Sequence, residues 1–75
     1  MIYEHQSVVL KEDLPEAKLR KGDVGTVVMI HGEHVGYEVE FNTAEGKEID
    51  VVSLSPQQIR EFSGRDVYAV RELAP

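Results

Sequence analysis

The segment Leu19-Arg20-Lys21-Gly22-Asp23-Val24-Gly25-Thr26-Val27-Val28 constrains this chain more than any other. A Gly-Asp-Val-Gly turn delivers the backbone into a run of β-branched residues, a combination that starts a strand and disfavours a helix. Gly25 is expected to hold positive φ in that turn, a conformation that glycine alone adopts without steric cost. Apolar side chains then occupy the consecutive positions Val27 to Ile30, so the strand from Gly25 to His31 is expected to be covered on both faces.

Elsewhere the apolar pattern has a period of two, with turn residues at short intervals. Tyr37-Glu38-Val39-Glu40-Phe41 alternates most cleanly, with Tyr37, Val39 and Phe41 on one face and the glutamates on the other. A strand at Ser7-Val8-Val9-Leu10 leads into Lys11 to Glu16, where Pro15 and the charges break the ladder and open a long loop that runs to Gly22. Gly32-Glu33-His34 turns the chain, Asn42 to Gly46 turns it again, and Lys47 to Leu54 returns as a strand. In that strand Ile49 and Val51, then Val52 and Leu54, place apolar groups on both sides, which a one-residue bulge near Val51 would reconcile.

Ser55-Pro56-Gln57-Gln58-Ile59 joins a capping serine to a proline at the first helical position, yet has length for only one 3₁₀ turn. After Ser63-Gly64, the stretch Asp66 to Leu73 is expected to form the last strand. The sum is a single all-β domain over residues 1–75. It is expected to be a small five-stranded SH3-like barrel, partly open, with a one-turn 3₁₀ helix before the last strand. A partly open barrel has edges, and a valine-rich edge invites a homo-oligomer by strand pairing.

A chain of 75 residues buries only about 60% of the surface that its unfolded form exposes, so stability is hard won. With no cysteine there is neither a disulfide nor a thiolate metal site, which fits a reducing compartment. Met1-Ile2-Tyr3-Glu4-His5 offers no basic segment and no apolar run of membrane length, so a soluble, cytoplasmic protein is expected. Fourteen acidic residues against eight basic ones give a net charge of −6, which repels polyanions and steers basic partners inward. The acidic residues concentrate between positions 33 and 50, where Glu33, Glu38, Glu40, Glu45, Glu48 and Asp50 face Lys47 alone.

Candidate chemistry is sparse. His31 and His34 flank Glu33 in a turn, which is not the helical spacing that gathers metal ligands on one face, and His5 stands alone. Ser7, Ser53, Ser55 and Ser63 lie in strand, cap and turn contexts without a nucleophile elbow. Glu38 with Glu40, and Glu48 with Asp50, are expected to point the same way on neighbouring strands, a stripe able to hold a cation or to keep the surface solvated. Lys18, Arg20 and Lys21 precede the spacing Gly22-x-x-Gly25, but the Gly-Lys-Ser/Thr ending and the following helix of a phosphate loop are missing.

Four separated segments carry a resemblance. Ser7 to Pro15, Leu19 to Val28, Tyr37 to Phe41 and Asp66 to Arg71 resemble, in order and spacing, the bacterial domain-of-unknown-function 4926 family. The resemblance implies a small SH3-like barrel with no established activity. The segments Val24-Gly25-Thr26-Val27-Val28 and Tyr37 to Phe41 are also similar to the small barrel subunit on the stromal side of photosystem I, a docking piece, which favours binding over catalysis. The glycine turn further resembles the KOW motif, which implies an RNA-binding alternative. That alternative wants a basic face with stacking aromatics, and this chain is acidic.

The expectation is therefore a non-catalytic module for protein–protein interaction, without cofactor or metal, whose partner is basic. Tyr37, Glu38, Glu40, Tyr68 and Arg71 are its candidate partner-binding residues. An antitoxin or immunity protein that masks a basic toxin is the second reading, and the RNA-binding barrel the third.

Overall fold

The structure, a computed structural model, describes residues 1–42 and 48–63, with the backbone alone for 48 and 49. Among the described residues five strands form one antiparallel sheet: β1 (Ser7–Leu10), β2 (Val24–His31), β3 (Gly36–Asn42), β4 (Glu48–Leu54) and β5 (Ile59–Glu61). Their order is β4-β3-β2-β1-β5. This is the SH3-like arrangement, a meander of β2, β3 and β4 with β5 returned to the far side of β1, and the sheet curls without closing. The two helical pieces among the described residues are 3₁₀ turns, η1 (Pro15–Ala17) and η2 (Pro56–Gln58). Among the described residues no helix is long and apolar enough to cross a membrane.

Alternation decides which side chains go inward. Val8, Leu10, Val27, Tyr37, Val39, Phe41, Leu54 and Ile59 meet in one buried cluster, joined by Ile2, Leu14 and Leu19. On β3 the inward set is Tyr37, Val39 and Phe41, as the alternation requires, and Glu38 and Glu40 stand on the outer face, both half-buried. Leu14 and Leu19 pair across a bridge within the long loop, so two buried leucines pin residues 11–23 to the core. Pro15 opens η1 there, and Lys18 closes it in the left-handed region with φ 59°. Asp13 Oδ1 accepts the Lys21 amide at 2.8 Å and the buried Asp23 accepts the Arg20 amide at 2.8 Å, which satisfies donors that a turn would otherwise strand.

Two expectations need correction. Gly25 does not hold positive φ; Gly22 does, at +96°, and Gly25 is a strand residue opposite Val8. Its hydrogen is required instead by close packing, because Val39 and Phe41 of β3 lie against its backbone. Second, β2 is not covered on both faces. The register slips by one residue at Val28, so Val27 faces Val39 while Met29 faces Glu38. Val28 and Met29 are left 37% and 52% exposed. Beyond these, Ile59–Glu61 forms a strand that the sequence pattern does not announce, starting directly after η2 and pairing with β1. The strand expected over residues 66–73 lies outside the described residues.

The bulge anticipated in β4 is present, slightly displaced. Phe41 faces Asp50 and Asn42 faces Glu48, so the extra residue is Ile49. The register on the Leu54 side of the bulge also parts Asp50 from the glutamates of β3. Asp50 is opposite the inward-facing Phe41, on the other side of the sheet from Glu38 and Glu40.

Candidate functional site

The outer face of β2, β3 and β4 is built in rows set by strand register. Met29, Glu38 and Ser53 form one row across the three strands, and Thr26, Glu40 and Val51 form the next. Met29 and Val51, 52% and 42% exposed, are apolar groups with nothing packed over them among the described residues, and Val28 adjoins them at the bulge. The charged residues in these rows are both acidic. The face is thus partly apolar and negatively charged, a combination that suits contact with another molecule.

Glu38 accepts two side-chain hydrogen bonds on that face. Ser53 Oγ donates to Glu38 Oε2 at 2.6 Å and His31 Nε2 donates to the same oxygen at 2.7 Å. His31 reaches it diagonally, because its own partner across the hairpin is Gly36. The Ser53 hydroxyl, and after it the His31 imidazole, holds the Glu38 carboxyl below its usual value of 4.5. The order of the three groups matters for chemistry. In a hydrolytic triad the imidazole stands between hydroxyl and carboxylate to take the proton. Here the carboxylate stands in the middle and accepts from both, so the imidazole is not placed to activate the serine.

A second cluster closes the β2–β3 hairpin. His34, at φ 63°, sets its ring edge-on to Tyr3 at 5.7 Å and tilted to Tyr37 at 6.1 Å. The Tyr37 hydroxyl lies 3.4 Å from His34 Nδ1. The two turn histidines thus address different partners. Among the described residues no three histidine or carboxylate groups gather as metal ligands would.

The sequence-derived contact residues divide three ways. Glu38 and Glu40 stand on the outer face as expected. Tyr37 is 3% exposed and faces the core, so it offers a partner almost no surface. Tyr68 and Arg71 lie outside the described residues. Lys18, Arg20 and Lys21 are exposed on the long loop, interleaved with exposed Glu12, Asp13 and Glu16, so they make no continuous basic stripe. The residues that sequence reasoning missed are Met29, Val28, Val51, His31 and Ser53. Pairing His31 with Gly36 across the four-residue turn would have revealed the Glu38 contact, but the slip at Val28 hides which residues of β2 face outward.

Residues 4–61 match the family model described as domain of unknown function DUF4926. No curated protein and no solved structure shows significant similarity to the chain.

Proposed function

We propose that this chain, which belongs to the DUF4926 family, is a protein-interaction module that docks a basic partner on the outer face of β2, β3 and β4. One observation carries the reading: Val28, Met29 and Val51 are exposed beside Glu38 and Glu40 on the same sheet face. Apolar groups supply contact area, and methionine adapts its shape to the surface it meets. The carboxylates select for positive charge, and the chain's net charge of −6 speeds encounter with it. A toxin masked by its neutralising protein is one partner of this kind.

The test compares wild type with the double variant Met29→Asp, Val51→Asp as baits in native lysate, with Lys21→Glu on the distant loop as control. A specific protein retained by wild type and by the control, and lost by the double variant, supports the reading. Equal retention by all three baits refutes it. So does a homodimer that occupies the same face, seen by light scattering coupled to size exclusion and abolished by the double variant.

A further inference from the structure

We infer that Glu38 and Glu40 together form the seat for an arginine side chain of the partner, an inference that rests on the docking reading above. Both hydrogen bonds to Glu38 end on Oε2, which leaves Oε1 without a bond among the described residues. The two donors fix the carboxylate before any ligand arrives, so the orientation that binding needs is already in place. Glu40 stands two residues along β3 on the same face, and no hydrogen bond or ion pair engages its side chain among the described residues.

The spacing selects the cation. Carboxylates at alternate positions of a strand start roughly 6.6 Å apart at the backbone. An ammonium is a point donor and reaches two such acceptors only if the side chains lean together. A guanidinium spreads five N–H donors over a plane and can bridge the two acceptors from between them. The apolar neighbours complete the seat. Met29 is directly across from Glu38 and Val51 directly across from Glu40, both exposed, so an arginine stem laid over either one covers apolar surface while its head meets the carboxylates.

The experiment follows amide shifts of the labelled full chain during titration with the blocked tripeptide Val-Arg-Val and its lysine and citrulline counterparts. Citrulline keeps the shape of arginine and removes the charge. The arginine peptide is expected to shift the amides of residues 26–31, 38–40 and 51–53, with lysine about 3-fold weaker and citrulline at least about 10-fold weaker. Glu38→Gln, isosteric and checked by its melting curve, is expected to weaken the arginine peptide about 10-fold, and Glu40→Gln about 3-fold. Equal binding of the arginine and lysine peptides overturns the inference. So do shifts centred on the acidic loop at residues 12–16, an arginine affinity untouched by Glu38→Gln, or no shift at roughly 10 mM peptide, where even weak contacts register. If any of these occurs while Met29→Asp, Val51→Asp still abolishes partner retention, the docking face stands and the arginine seat falls. If neither the double variant nor Glu38→Gln changes retention, both fall.

Discussion

A methyl group placed on Gly25 would lie 2.6 Å from Val39 Cγ1, 2.8 Å from Phe41 Cε2 and 2.9 Å from the Glu40 carbonyl oxygen. The last of these is backbone and cannot swing aside. Gly25→Ala is therefore expected to cost about 1–3 kcal/mol by overpacking, read as a lower denaturation midpoint, and a wild-type midpoint would contradict the packing described. Phe41→Ala, at a fully buried position, is expected to cost about 3–5 kcal/mol. At about 0.05–0.15 kcal/mol per residue a 75-residue chain is stable by roughly 4–11 kcal/mol, so the Phe41 loss alone reaches the lower end of that range. Glu38 carries a different signature. Its folded-state pKa lies below 4.5, so the stabilisation is complete above the unfolded value near 4.5 and disappears as pH falls through the lower folded value. Ser53→Ala removes the larger cause and is expected to bring the Glu38 pKa back toward 4.5, measured by NMR titration of its carboxyl carbon; an unmoved titration would assign the shift elsewhere.

At the scale of elements, the long loop is organised by two aspartates and two leucines. Asp23 is buried and accepts the Arg20 amide, so Asp23→Ala strands that donor and is expected to cost about 1–3 kcal/mol, with faster amide exchange at Arg20 and Leu19. Unchanged exchange would mean that the leucine bridge alone holds the loop. The strands themselves were legible where alternation was strict. Tyr37 to Phe41 reads correctly residue by residue because each inward group is apolar and each outward one charged. The 3₁₀ turn at Pro56 was legible from serine, proline and length. What escaped has physical causes. β5 has a single buried apolar residue, Ile59, too few to set a period, and its pairing with β1 is a long-range event. The slip at Val28 turns a run that resembles a doubly covered strand into one with an outward apolar pair. Gly25 was recognised as necessary, but from turn chemistry, whereas the reason is a contact with β3 that no local pattern contains. Of the candidate site, Glu38 and Glu40 followed from alternation; the His31 and Ser53 contacts required the register of three strands.

For the molecule as a whole, the buried cluster and the exposed Met29, Glu38, Glu40 and Val51 occupy opposite sides of the same three strands. Neighbouring substitutions on β2 are expected to separate accordingly. Val27→Asp places a charge in the buried cluster and is expected to unfold the protein. Met29→Asp, two residues away on the exposed side, is expected to leave the stability within about 0.5 kcal/mol of wild type. Circular dichroism on both proteins checks the pair, and a comparable loss in both would mean that the outer face is packed against something. The exposed sulfur on that side has a practical consequence. The chain has no cysteine, and both of its methionines stand in solvent, so peroxide meets the Met29 thioether with no thiol in the chain to compete for it. A sulfoxide there would turn a soft apolar platform into a polar, stiffer one while leaving every buried residue untouched. Aged or aerated preparations would then melt normally and bind poorly, and methionine sulfoxide reductase would restore the binding.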